Sequence, residues 1–104
     1  TPENVMIFAG GLPGIYTVMA FLKKQVRVRI GNIEWPAYLD IMNQSKTMYE
    51  TVPFTKENNF HPKNEEYFNR MNLDEKTAIL PIISNPQNPS GQTRSEQELC
   101  ELIA

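Results

Sequence analysis

The sequence predicts an α/β domain whose sheet is mostly parallel, in a three-layer α/β/α arrangement. Short apolar runs alternate along the chain with stretches that have helical spacing. Strands that are separated by helices in this way usually lie parallel in one sheet. A chain of 104 residues has room for one domain at most.

Four apolar runs predict four strands. They lie at residues 4–8, 26–30, 48–54 and 77–84. The second run has the clearest strand pattern, because Val26, Val28 and Ile30 alternate with two arginines. Pro81 in the fourth run does not suit a central strand, since proline cannot donate a hydrogen bond to a neighbouring strand.

Four helical segments are predicted between and after these strands. They lie at 13–24, from 36 to about 43, at 64–71, and from residue 95 onward. The first is apolar nearly all round, which is typical of a buried helix. Pro36 suits the first position of the second helix, and Ser95 with Glu98 forms a capping box that begins the last one.

Both ends of the sequence predict an internal piece of a longer protein. The chain begins with Thr1 rather than Met. The apolar positions of the last helix keep their spacing up to Ala104; they are Leu99, Leu102 and Ile103. A helix with a start signal and no stop signal is expected to continue, so we expect one incomplete domain.

The composition excludes several classes of partner. The net charge is −2 and the ten Lys and Arg residues are scattered, whereas nucleic acids and anionic membranes require clustered positive charge. No apolar run approaches the roughly 20 residues that cross a bilayer. Cys100 is the only cysteine, so no internal disulfide can form. This fits a reducing compartment, and we expect a cytoplasmic protein.

Three segments could carry chemistry, and each follows a predicted strand. They are the glycine-rich turn at 10–14, the segment at 32–38 around the single Trp, and the double Asn-Pro loop at 84–91. Ligands of open α/β sheets bind beyond the carboxyl ends of the strands. The position of the three segments therefore indicates binding.

Each segment also has a plainer interpretation. Gly10 and Gly11 precede a helix whose N-terminal amides attract phosphate, but any tight strand-to-helix turn needs such glycines, and neither the dinucleotide fingerprint nor the P-loop is matched. Trp35 could stack on a planar ligand or be ordinary core packing. Proline moves the preceding Asn88 out of the helical region, which gives either a fixed ligand-binding amide or simply a stiff polar loop.

The third segment connects the sequence to a known family. Asn85-Pro86-Gln87-Asn88-Pro89-Ser90-Gly91 resembles the Asn-Pro-x-Asn-Pro-Thr-Gly signature of class I/II aminotransferases, which are fold-type-I pyridoxal-phosphate enzymes. Gly10-Gly11-Leu12 is similar to the phosphate-binding turn of the family, and Glu34-Trp35-Pro36-Ala37-Tyr38 to its aromatic-Pro-x-Tyr segment. The resemblance covers essentially the whole chain, in order and with suitable spacing.

The resemblance implies a pyridoxal 5'-phosphate cofactor, no metal, and roles for five residues. The backbone at Gly10, Gly11 and Leu12 would meet the phosphate, although many relatives have Thr or Ser where Leu12 stands. Trp35 would stack on the pyridine ring, and Asn88 would hydrogen-bond the phenolic oxygen of the cofactor. Both Trp35 and Asn88 would also contact the substrate.

The resemblance further implies a homodimeric enzyme that transfers an amino group between an amino acid and a 2-oxo acid. The Schiff-base Lys and the carboxylate that pairs with the pyridine nitrogen would lie beyond Ala104, so the fragment alone is expected to be inactive. In the sheet of the family, the second and third predicted strands would be neighbours, and the first and fourth would lie elsewhere. Two alternatives stay open: lyase or decarboxylase chemistry on the same cofactor, and a non-enzymatic effector-binding domain.

Overall fold

The computed structural model describes residues 1–70 and 73–103 and confirms the α/β class. A short 3-10 helix at Pro2–Asn4 precedes the helices and strands of this part of the chain. These are α1 (Gly11–Leu22), β1 (Val26–Gly31), α2 (Pro36–Ser45), β2 (Tyr49–Val52), α3 (Asn64–Tyr67), β3 (Ala78–Ile82) and α4 (Glu96–Ile103). Among the described helices, none combines the length and apolar character needed to cross a membrane.

The described sheet has parallel strands in the order β2-β1-β3. Val28 of β1 pairs with Tyr49 of β2 and with Leu80 of β3, so β1 is central. Pro81 lies opposite Arg29 in an edge strand, where proline is tolerated. The second and third predicted strands are neighbours, as expected. The expectation for the fourth is wrong, because β3 pairs directly with β1.

The first predicted strand does not form within the described residues. Residues 5–8 have no regular structure, and the side chains of Val5, Met6 and Ile7 are 69%, 73% and 91% exposed. A strand needs a hydrogen-bonded neighbour, and in this structure neither edge of the three-stranded sheet pairs with the run. A β-rich composition is therefore not enough without a partner strand.

The first helix differs from its prediction in both boundaries and burial. α1 begins at Gly11 rather than at residue 13, and it ends at Leu22. Met19 is buried, whereas Phe21 is 78% exposed. One side of α1 packs on α2, and the described residues do not cover its opposite side. The expectation of a helix buried all round is therefore wrong for this structure.

Apolar clusters lie on both faces of the sheet. On one face, β1 packs under α1 and α2. The buried members of this cluster are Met19, Val28, Ile30, Ile41 and Met42. On the other face, near the carboxyl edge, Val52 and Phe54 pack with Tyr67 of α3. Gly31 ends β1 without a side chain, which leaves room there for the Phe54 ring.

The two arginines of β1 form ion pairs with one carboxylate on β2. Arg27 Nη1 lies 2.9 Å from Glu50 Oε1, and Arg29 Nη2 lies 2.8 Å from Glu50 Oε2. Arg29 is buried, and a buried charge is tolerated only when it is paired. The alternation that predicts β1 therefore separates an apolar face from a face of paired charges.

The last two helices differ in how well the sequence predicts them. α3 ends at Tyr67, before the predicted end at Met71, and both Met71 and Ala104 lie outside the described residues. The capping box of α4 is confirmed. The Ser95 N–H donates to Glu98 Oε2 at 2.7 Å, and the Glu98 N–H donates to Ser95 Oγ at 3.2 Å.

Candidate functional site

The structure brings the three candidate segments to the carboxyl edge of the sheet. β1 and β3 are parallel neighbours, so the segments that follow them, 32–38 and 84–91, begin side by side. The glycine-rich turn at 10–14 leads into α1, which packs along α2. Leu12 in the first turn of α1 lines the same groove as Ala37 in the first turn of α2. The N-termini of both helices therefore lie at this edge.

The glycine-rich turn presents open backbone at the start of α1. Gly10 precedes the helix with φ at +106°, a conformation that favours glycine. Apart from the helix itself and its chain neighbours, no described atom lies within 4 Å of the position where a Cβ on Gly11 would stand. Leu12 is also exposed. The first turn of α1 is therefore uncovered at these two positions, and the unpaired backbone amides of a first helical turn can bind an anion.

The indole ring of Trp35 is held at the surface, not in the core. Trp35 immediately precedes α2, and the residue is 41% exposed. The edge-on contact with Tyr38 fixes the ring, with centroids 5.5 Å apart and planes at 84°. The core-packing interpretation of Trp35 is wrong among the described residues, since Trp35 is exposed and belongs to neither apolar cluster.

The double Asn-Pro loop is folded on itself by its own backbone. Both peptide bonds that precede its prolines are cis. The Gly91 N–H donates to the Gln87 carbonyl, and the Gln87 N–H donates to the Gln92 carbonyl, each at 2.8 Å. Asn88 is exposed on this loop, so its side chain projects from a backbone with little freedom.

Gln87 joins this loop to the segment that carries Trp35. The side chain is buried, and its Nε2 donates to the Ile33 carbonyl at 2.7 Å and to the Asn88 carbonyl at 2.9 Å. Its Oε1 accepts from the Ser90 N–H at 2.8 Å. Sequence reasoning did not single out Gln87, because the contact with Ile33 spans 54 residues and has no local signal.

A half-buried acid, Glu34, lies next to the same junction. Ser84 Oγ donates to Glu34 Oε2 at 3.4 Å and lies 3.4 Å from the Tyr38 hydroxyl. The other carboxyl oxygen, Glu34 Oε1, is buried and has no hydrogen-bond partner among the described residues. Burial raises the pKa of Glu34, because the ionised form loses its contact with water. The sequence places Glu34 in the aromatic segment but carries no sign of this burial.

Arg94 supports the double Asn-Pro loop from the side of α4. Its backbone N–H donates to Asn85 Oδ1 at 2.8 Å. Its buried guanidinium donates to the Pro62 carbonyl and to Asn64 Oδ1, both at 2.8 Å, and lies 5.5 Å from the centre of the Tyr67 ring. The Pro62 and Asn64 contacts span 32 and 30 residues, so sequence reasoning also missed Arg94.

A hydrogen bond between His61 and Glu98 joins the same two parts of the chain. His61 Nε2 lies 2.7 Å from Glu98 Oε1. This hydrogen bond from His61, together with the Ser95 N–H, lowers the pKa of Glu98 to about 2. Glu98 is therefore ionised at neutral pH, where it caps α4 and holds the loop around His61.

These features define an α/β domain with a candidate site for an organic anion at the carboxyl edge of its sheet. The site combines open amides at a helix N-terminus, an exposed aromatic ring and a side-chain amide on a constrained loop. The described residues contain no group of three or more His, Cys, Asp or Glu side chains that could hold a metal ion. The chain belongs to the class I and II aminotransferase family, whose model matches residues 1–104.

Individual relatives agree with this assignment. The chain is 29% identical over 103 residues to an aspartate aminotransferase from Pyrococcus horikoshii, covering 98% of this chain and 25% of that protein. It is similar to the crystal structure of aminotransferase AspB from Helicobacter pylori, with 25% identity, a TM-score of 0.67, and coverage of 90% and 24% of the two chains.

A further structure shares the fold alone. It is a PLP-bound putative aminotransferase from Clostridium difficile 630, with 22% identity, a TM-score of 0.70, and coverage of 89% of this chain and 24% of the other. The chain thus spans about a quarter of the length of the relatives that it matches.

Proposed function

We propose that this chain forms part of the pyridoxal-phosphate site of an aminotransferase that transfers an amino group between an amino acid and a 2-oxo acid. The observation that carries the proposal is the junction at the carboxyl edge, where Gln87 ties the Asn88 loop to the Trp35 segment. The family membership of residues 1–104 supports it. The proposed location is the cytoplasm, and the proposed assembly is a homodimer.

The phosphate of the cofactor would bind at the N-terminus of α1. Gly10, Gly11 and Leu12 offer backbone amides there, and open space surrounds Gly11. The partial positive charge of the helix end favours a phosphate dianion. Leu12 has no hydroxyl, so at this position the backbone alone would make the contact. The residues present therefore fit the phosphate.

The ring of the cofactor would lie between Trp35 and Asn88. Trp35 would stack on the pyridine ring, and the amide of Asn88 would donate to the phenolic oxygen and help to bind the substrate carboxylate. When bound, the cofactor supplies an electron sink for a carbanion, while the protein supplies binding and orientation. In this division of roles, the 104 residues orient the cofactor and exclude water from one side of it.

The catalytic Lys of the family has no proposed counterpart among these residues. The proposal therefore gives this chain cofactor-binding and substrate-binding roles, and it gives the proton transfers to other parts of the complete protein. We accordingly expect the 104-residue chain by itself to show no amino transfer.

Pyridoxamine 5'-phosphate binding tests the cofactor site. This ligand has no aldehyde, so it cannot react with surface lysines. Titration calorimetry on the complete encoded protein should show binding that Asn88→Ala weakens by about tenfold, the loss expected for one hydrogen bond to a charged group. Asn43→Ala is the matched control, because Asn43 is an exposed asparagine on α2.

A panel of amino acids with 2-oxo acids then tests the reaction itself. Equal binding by wild type and Asn88→Ala would contradict the assigned site. Cofactor binding without amino transfer from any amino acid in the panel would overturn the proposed reaction while leaving the cofactor site in place.

A further inference from the structure

We infer that Gln87 is a positioning residue that fixes the separation between the Trp35 ring and the Asn88 amide in the cofactor site. The inference rests on the proposed function, since it concerns the placement of the two groups that would contact the cofactor ring. Gln87 itself is buried and would not touch the cofactor.

The carboxamide of Gln87 uses its full donor capacity. Its Nε2 has two hydrogens, and both have acceptors, the carbonyls of Ile33 and Asn88 at 2.7 Å and 2.9 Å. Its Oε1 accepts from the Ser90 N–H at 2.8 Å. The two carbonyls and the N–H leave only one orientation of the amide that satisfies all three contacts.

The two carbonyls belong to the two segments that carry Trp35 and Asn88. Ile33 lies two residues before Trp35, and the other carbonyl is that of Asn88 itself. One nitrogen atom therefore holds both segments, which follow different strands and are 54 residues apart. Ser84 also contacts the Trp35 segment, at Glu34 and at the Tyr38 hydroxyl, but both distances are 3.4 Å and these contacts are hence weaker.

Replacing the amide by a carboxylate reverses the two donated contacts. Gln87→Glu keeps the size of the side chain and the acceptor for Ser90, but it places a carboxylate oxygen against the carbonyl oxygens of Ile33 and Asn88. Both acceptors are then left without a donor, and like partial charges face each other. The Asn88 loop should consequently move away from the Trp35 segment.

Binding of two ligands distinguishes positioning from a general loss of structure. The first is pyridoxamine 5'-phosphate, and the second is its 3-O-methyl ether, whose blocked phenolic oxygen cannot form the full contact with Asn88. Gln87→Glu should weaken the first ligand by about tenfold and the ether by less than about threefold. Gln25→Glu is the matched control, because this substitution makes the same amide-to-carboxylate change at an exposed residue far from the site.

The pH dependence supplies an independent readout. Protonation of the introduced carboxyl group restores one donor and removes its repulsion from the neighbouring Glu34 carboxyl. The affinity of Gln87→Glu for pyridoxamine 5'-phosphate should therefore recover in part as the pH falls, relative to wild type at each pH. Wild type has the same other titratable and charged groups in this cavity, which are Glu34, His61, Tyr67 and Arg94. The fluorescence of Trp35, obtained as the difference from Trp35→Phe, should change in the cofactor-free Gln87→Glu protein and stay constant in Gln25→Glu.

The outcomes separate this inference from the proposed function. If wild type binds pyridoxamine 5'-phosphate and Gln87→Glu binds it equally well, or weakens both ligands to the same extent, the positioning role is overturned while the cofactor site stands. If wild type binds neither ligand, the cofactor site fails and the positioning role fails with it. Selective weakening with partial recovery at low pH would support the role.

Discussion

The substitution Gly31→Ala tests how the end of β1 packs against the Phe54 ring. A Cβ added to Gly31 would lie 2.4 Å from Phe54 Cε1, 2.8 Å from Cζ and 3.0 Å from Cδ1. Ordinary carbon contacts are about 3.5–4.0 Å, so either the ring or the strand must move by about 1 Å in Gly31→Ala.

The Phe54 ring cannot move without cost. It is 6% exposed and packs with Val52 and Tyr67. Overpacking a well-filled core typically costs about 1–3 kcal/mol, whereas replacing glycine by alanine stabilises a compatible backbone by about 0.4–1 kcal/mol through the unfolded state. We therefore expect Gly31→Ala to lower the free energy of unfolding by about 1–2 kcal/mol.

Urea unfolding of the complete encoded protein without cofactor measures this effect. Phe54→Leu shortens the side chain, so it should lower the free energy of unfolding less in the Gly31→Ala background than in wild type. The coupling energy between the two substitutions should be about 1 kcal/mol or more. Gly11→Ala is the control, because open space surrounds that position, and it should be neutral or stabilising. Wild-type stability of Gly31→Ala, with no coupling to Phe54→Leu, would refute the packing argument.

Two further substitutions test the buried polar groups near the site. Burial raises the pKa of Glu34 above its ordinary value of 4.5, so the folded state binds the proton more tightly and the ionised carboxylate destabilises the fold at higher pH. Glu34→Gln should therefore raise the free energy of unfolding at pH 7. In urea titrations, this gain in stability should disappear as the pH falls below 4.5. A gain that stays constant with pH would contradict burial as the cause. Arg94→Met should cost about 2–4 kcal/mol, because the Pro62 carbonyl and Asn64 lose their donors. Arg94→Lys should recover only part of this lost stability, since one ammonium group cannot replace the two donors of the guanidinium group. Chemical unfolding of wild type and the two variants measures these free energies. A cost for Arg94→Met below about 0.5 kcal/mol would contradict a stabilising role for the Arg94 hydrogen bonds.

Local signals in the sequence predict those elements whose cause is local. The alternation in 26–30 predicts β1 because the period of a strand is two residues, and Pro36 predicts the start of α2 because its fixed φ suits a first helical turn. The capping box of Ser95 and Glu98 is likewise a contact three residues long. The motif at 85–91 identifies the family, which the match over the whole chain confirms.

Sequence patterns give wrong predictions where the structure of a segment depends on another element that must pair or pack with it. The apolar run at 4–8 has the composition of a strand, but a strand exists only beside another strand, and none in the described chain pairs with it. The apolar surface of α1 predicts burial, yet Phe21 is 78% exposed, because burial depends on what packs against the helix. The same holds for β3, whose position beside β1 is fixed by pairing across the sheet.

The sequence by itself determined the α/β class and the family, and it proposed Trp35 and Asn88 as binding residues. It did so because each rests on a short pattern of neighbouring residues. Only the tertiary structure revealed how those groups are held. Gln87 reaches Ile33 across 54 residues and Arg94 reaches Pro62 across 32. Such hydrogen bonds leave no trace in local sequence, because the chain must fold before donor and acceptor meet.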